Sequence, residues 1–134
     1  GHFSTALKYA PGFSRALLNL GMLYHRKGDV SQAQACYEKA ARIAPDYFEA
    51  HYNLGLLYGE TAQHEKAIES FERAIAINNL SAKSYHNLGV TYLIKDAPDL
   101  ESAQKHLTKA YNLGSERSEI FLANIKKRIA GSND

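Results

Sequence analysis

The stretch Leu17-Leu18-Asn19-Leu20-Gly21-Met22-Leu23-Tyr24 returns as His51-Tyr52-Asn53-Leu54-Gly55-Leu56-Leu57-Tyr58 and again as Tyr85-His86-Asn87-Leu88-Gly89-Val90-Thr91-Tyr92, each copy 34 residues after the last. Self-similarity at that period marks stacked helix pairs, none able to bury its apolar face alone. The predicted fold is all-α, a right-handed α-solenoid of stacked antiparallel helix pairs. Further along each copy, Ala33, Tyr37 and Ala40 are matched by Ala67, Phe71 and Ala74 and, after a two-residue insertion, by Ala103, Leu107 and Ala110. Pro45 ends the first unit, and Pro11 lies 34 residues before it.

Leu17, Leu20, Gly21 and Tyr24 fall at i−3, i and i+4 spacing and gather on one face of a first helix; Ala33, Tyr37 and Ala40 do the same on a second. Gly21 and Ala33 are small enough for the two backbones to approach, with Tyr24 and Tyr37 filling the space around them. Gly28-Asp29 suits the turn between them, Gly by tolerating a left-handed conformation and Asp by capping the next helix. The second unit has Thr61-Ala62-Gln63 there, a less well encoded turn.

These columns resemble the tetratricopeptide repeat, whose pattern runs aromatic or Leu, Leu-Gly, Tyr, then Ala, an aromatic, Ala and Pro. The resemblance places three repeats at residues 14–47, 48–81 and 82–117, the third with the two-residue insertion at Ala97-Pro98 and some Sel1-like character near Gly114. Residues 1–13 read as the second helix of a truncated preceding repeat, because Phe3, Ala6 and Leu7 sit 34 residues before Tyr37, Ala40 and Ala41. Gly1-His2 reads as a cloning remnant and the chain as a piece excised from a longer protein. Residues 118–130 read as a capping helix with Leu122, Ile125 and Ile129 as its seam and Lys126 in the glycine column; residues 131–134 read as a disordered tail.

Composition narrows the function. At 134 residues and 45% apolar the chain can bury one continuous core, while a net charge of +2 makes no case for nucleic acid. No apolar run approaches the length of a membrane span, so direct membrane insertion is not expected. The lone Cys36 cannot form an intrachain disulfide and reads as a small helix residue in a soluble protein, the cytoplasm being the favoured compartment. The sequon Asn79-Leu80-Ser81 would matter only on a secretory route. His25, His51, His64, His86 and His106 never stand at ligand spacing, and His51 occupies a packing column. With no phosphate loop and no nucleophile elbow, neither a metal, a cofactor nor catalysis is expected.

That leaves the face of the first helices turned away from the core. The candidate peptide-binding residues are Arg15, Leu18, Asn19, Met22 and Arg26 in the first unit, with His25 beside them, Glu49, Tyr52, Asn53 and Leu56 in the second, and Lys83, His86, Asn87 and Val90 in the third. Asn124 holds the matching place in the capping helix. In tetratricopeptide arrays this face lines the concave groove. Asn19, Asn53 and Asn87 form a stripe whose carboxamides offer both donors and an acceptor, the complement of a peptide bond. The stripe looks like the asparagine ladders of O-linked N-acetylglucosamine transferases and kinesin light chains, which implies an extended segment of another protein as the ligand. A local role between adjacent repeats is the competing use of the same asparagines. The arrays that clamp acidic chaperone termini are matched only at Asn53 and Lys83, because Leu18, Met22 and Asn87 replace their other residues. The glutamates at 49, 60, 65, 69 and 72 read as a solvated helix face. Self-assembly through the terminal helices into a homo-oligomer, or recruitment for a larger enzyme, are the alternatives.

Overall fold

The computed structural model describes residues 11–132. They form seven helices and no strand: α1 (Pro11–Arg26), α2 (Val30–Ile43), α3 (Phe48–Glu60), α4 (His64–Ile77), α5 (Ala82–Ile94), α6 (Leu100–Asn112) and α7 (Ser118–Ser132). Short connections make consecutive helices antiparallel neighbours: α1 packs on α2, α3 on α4 and α5 on α6, and each pair leans on the next. The first helices α3 and α5 also touch one another, which puts the odd-numbered helices on the inner side of the array.

The pairs close on glycine. A Cβ on Gly21 would stand 2.6 Å from the Tyr37 ring, one on Gly55 2.5 Å from Phe71, and one on Gly89 2.6 Å from Leu107. In each pair a bulky side chain of the second helix therefore seats directly on the first helix's backbone, and any side chain there would collide with it. Tyr37, Phe71 and Leu107 are almost wholly buried, flanked by the buried alanines 33 and 40, 67 and 74, and 103 and 110. Burying each large side chain contributes roughly 1.5–3 kcal/mol.

The turns repeat one device. In the first, Gly28 takes a φ of +85°, its N–H bonds the His25 carbonyl, and the Asp29 N–H reaches back to the Tyr24 carbonyl at 2.9 Å. The second is the same with Ala62 at φ +58° and Gln63 N–H on the Tyr58 carbonyl at 2.8 Å, so the poorly encoded turn is a strained copy of the good one. In the third, Asp99 N–H still reaches the Tyr92 carbonyl at 3.0 Å, which confines the insertion to a bulge between fixed ends. Asp29 and Asp99 cap their helices through Gln32 and Ser102, whereas Gln63 makes no side-chain cap. Gly114 ends α6 with a φ of +108° and a bond from Ser115 N–H to the Ala110 carbonyl.

Several expectations are corrected. Pro11–Phe13 open α1, where the missing proline N–H costs nothing; residues 1–10, the rest of the expected preceding helix, lie outside the described residues. Helix α7 runs on through Gly131 and Ser132, so half of the expected tail is helical, and residues 133–134 lie outside the description. Leu20, expected in the interior, is 43% exposed, whereas Leu54 and Leu88 in the same column are buried. The difference has a physical cause: α3 and α5 each lie against the second helix of the pair before them, and no described element occupies that place for α1. At the far end Ile125 is buried with Leu93 and Leu107 while Lys126, Lys127 and Arg128 are exposed. Ile129, expected in the seam, is 38% exposed because it lies one turn past that contact.

Candidate functional site

The inner side gathers the candidate residues in two groups. Met22, His25 and Arg26 from α1, Tyr37 from α2 and Asn53 from α3 line a cleft of about 250 Å³ between the first two pairs. His25 Nε2 lies 2.7 Å from Glu60 Oε2, tying α1 to α3 at the edge of that cleft. Its floor holds an anomaly. Tyr37 is fully buried, and its hydroxyl has no hydrogen-bond partner among the described residues.

The second group centres on Tyr52. Its ring stacks on Phe48 at 5.9 Å and meets Phe71 edge-on, while Lys83 Nζ stands 4.4 Å above its centroid. Asn87 Nδ2 donates to Tyr52 Oη at 3.0 Å, so this group spans the second and third pairs. Burial first, against the opposing pull of Arg117, raises the Tyr52 phenol above its ordinary value.

The asparagines make local bonds. Asn53 Nδ2 donates to the Glu49 carbonyl at 2.8 Å and Asn87 Nδ2 to the Lys83 carbonyl at 2.9 Å, each one turn back along its own helix. Those bonds fix the amide and leave Oδ1 as the group that can accept from a visitor.

Other candidates lie apart. Leu18 is buried in the main core and His86 is 5% exposed, so neither offers much surface to a ligand. His86 Nδ1 is hydrogen-bonded to Ser118 Oγ at 2.7 Å, which pins α7 to α5; burial and then the nearby Arg117 push its pKa down to about 4. Arg15 lines a separate recess with Ser14, Ala44, Asp46 and Tyr47. Leu56 and Val90 are half-buried, Met22 is 41% exposed, and Asn19, Glu49 and Asn124 are exposed. Sequence reasoning missed Tyr37 and Arg117. For Tyr37 a signal existed, since its column holds Phe71 and Leu107 and only Tyr37 carries a hydroxyl; Arg117, just ahead of α7, had none.

The glutamates are exposed, and two of them tie neighbouring pairs together, Glu60 through His25 at 2.7 Å and Glu65 through Lys95 at 3.1 Å, whereas Glu69 meets Arg73 at 3.1 Å within its own helix. His51 is a packing residue, its Nε2 hydrogen-bonded to the Pro45 carbonyl at 2.8 Å. Cys36 is buried, which raises its thiol pKa against the opposing influence of Lys39. Among the described residues no group of three or more His, Cys, Asp or Glu is placed to hold a metal ion, and no helix is long and apolar enough to cross a membrane.

Comparison with known proteins bears on the fold. The first tetratricopeptide array of Spaghetti (RPAP3), solved bound to the HSP90 peptide SRMEEVD, is similar with a TM-score of 0.82 and 21% identity over 89% of this chain and 94% of that one. The Sgt2 array from Aspergillus fumigatus gives 0.79 and 27% identity over 90% and 81%. A stretch covering 22% of the O-GlcNAc transferase of Thermobaculum terrenum gives 0.76 and 28% identity over 87% of this chain. No curated protein matches the chain. The family model for the tetratricopeptide repeat matches residues 12–79, the region in which Gly21 and Gly55 receive Tyr37 and Phe71, and the chain belongs to the tetratricopeptide repeat family.

Proposed function

We propose that this chain is a protein-interaction scaffold that holds an extended segment of a partner protein along the inner side of its array. The observation that carries this is the state of Asn53 and Asn87, each fixed through Nδ2 to backbone one turn back and left with Oδ1 to accept. An extended chain presents N–H donors at about 3.3 Å per residue, and neighbouring helices lie roughly 8–10 Å apart, so donors fall within reach of successive asparagines. Met22, Leu56 and Val90 add apolar surface beside them. The peptide bound to the array of Spaghetti supports a peptide as the class of ligand. Leu18 and Met22 stand where the chaperone clamp has Lys and Asn, so the segment proposed here is partly apolar and not a clamped acidic terminus.

The test is selection of random peptides of about twelve residues on phage against the chain, followed by affinity measurements. Replacing Asn53 and Asn87 together by Ala should weaken an enriched peptide roughly fivefold to a hundredfold, at about 0.5–1.5 kcal/mol per lost hydrogen bond. Asn53→Ala alone should leave the melting temperature nearly unchanged, because its internal bond is solvent-exposed. Peptides that bind the double variant as tightly as the wild type would overturn the reading.

A further inference from the structure

A buried hydroxyl without a partner is rare, because it forfeits its bonds to water and gains nothing in return. Among the described residues Tyr37 has such a hydroxyl, and nothing in the packing asks for it: Phe71 and Leu107 fill the same position in the next two pairs without one. The ring alone would seat on Gly21. Tyr37 lines the inner cleft together with Met22, His25, Arg26 and Asn53. Burial first, then the Glu60 and Cys36 charges, hold the phenol above its ordinary pKa, so it remains a proton donor at neutral pH.

The cleft's other groups fix the kind of visitor. Arg26 is exposed and supplies a second donor with a permanent charge. The Glu60 carboxylate at the cleft's edge is held by His25 at 2.7 Å, and Arg26 is the permanently charged side chain among the lining residues. Met22 and Arg26 are both long, exposed side chains on the surface of α1. Two donor side chains among the residues lining one small recess suit a group that only accepts.

Resting on the inner-face reading above, we propose that the Tyr37 hydroxyl and the Arg26 guanidinium form a side-chain pocket that receives one Asp or Glu carboxylate of the bound segment. Tyr37 Oη donates to one carboxylate oxygen and Arg26 to the other, while Asn53 Oδ1 accepts from the adjoining backbone N–H. The rest of the segment lies over Met22 and runs toward Tyr52 and Asn87. The hydroxyl is then a recognition group kept at the expense of the free fold.

That gives Tyr37→Phe an unusual signature. Random peptides of about twelve residues are selected on phage against the wild type and against Tyr37→Phe in parallel. The wild type should enrich peptides with Asp or Glu at one fixed position, and Tyr37→Phe should bind them about tenfold more weakly, as should Arg26→Gln. Replacing that acidic residue by its amide in the peptide should cost about as much against the wild type and nothing against Arg26→Gln. At the same time Tyr37→Phe should melt at the same temperature as the wild type or higher. A lower melting temperature would mean that the hydroxyl has an internal partner, and overturns the inference. Inner-face peptides with no acidic preference, or with equal affinity for Tyr37→Phe, overturn it while leaving the inner-face reading intact. A library that yields no binder sensitive to the Asn53 and Asn87 double substitution overturns both.

Discussion

The junction between the first and second helix pairs and the junction between the second and third are built from the same columns and end up differently closed. In the first, Tyr58 Oη donates to Glu38 at 2.9 Å, His25 pairs with Glu60, and His51 holds the Pro45 carbonyl. In the second, Tyr92 meets Glu72 at 3.4 Å, Asn87 bonds Tyr52, and Lys95 meets Glu65 at 3.1 Å. On the outer side the first junction leaves a cleft of about 390 Å³ crossed by Glu38, Arg42, Lys66, Glu69 and Arg73. The second leaves about 740 Å³, floored by Ile75, Tyr85 and Leu88, with Ala76 in the place of Arg42. The glycine and alanine columns set how the pairs stack. The residues that neighbours share at the edges decide how tightly the stack shuts.

The largest effect should come from removing what both junctions depend on. Helix α3 packs on α2 and α4 and touches α5, so Gly55→Leu, driven into Phe71, should lower stability by roughly 3 kcal/mol and unfold the array cooperatively in urea. An unchanged urea midpoint would show that the glycine contact does not hold the stack together.

Acid should act beyond the second junction, where α7 is pinned to α5. Burial and Arg117 lower the His86 pKa from 6.5 in the unfolded chain to about 4, so the folded state resists the proton. The stability this carries is present above pH 6.5 and is lost as pH falls toward 4. Urea midpoints measured across that range should fall for the wild type and stay flatter for His86→Gln. Equal slopes would remove His86 as the cause.

A sharper contrast lies in the two tyrosine bonds. Tyr58→Phe should cost about 1.5 kcal/mol, as expected for a hydrogen bond to a charged acceptor, and Tyr92→Phe distinctly less, since its bond is longer and exposed. Burial, then the Glu38 carboxylate, push the Tyr58 phenol from 10.0 up to about 12. Its contribution is therefore intact below pH 10 and lost as pH rises toward 12, and Tyr58→Phe should flatten that alkaline decline. Equal losses for the two substitutions would show that the junctions are not differently bonded.

The smallest effect concerns the turns. Ala62→Gly should stabilise the chain by about 0.5 kcal/mol, because relief of the left-handed strain slightly exceeds the extra freedom that Gly gives the unfolded state. Gly28→Ala should destabilise it by a similar or larger amount. A destabilised Ala62→Gly would mean that the second turn is not a strained copy of the first.

The family, the helix pairing and the contact surface within each pair were legible in the residue columns, because Gly21, Gly55 and Gly89 recur against Tyr37, Phe71 and Leu107 at a fixed period and one register brings them together. The sequence also carried the cap at Asp29 and the weakness of the turn at Ala62. Periodicity says which residues share a face, but not how much of that face a neighbour takes. The stacking of the pairs therefore settles that Leu18 and His86 lie buried beside exposed Met22 and half-buried Asn53, and that Leu20 is exposed where Leu54 and Leu88 are covered. The same holds for Arg117, which comes near Tyr52 and His86 from far along the chain. The Tyr37 hydroxyl was visible as a letter in the sequence; that it lies buried and without a partner among the described residues, on a side chain lining the inner cleft, follows from how α1, α2 and α3 meet around it.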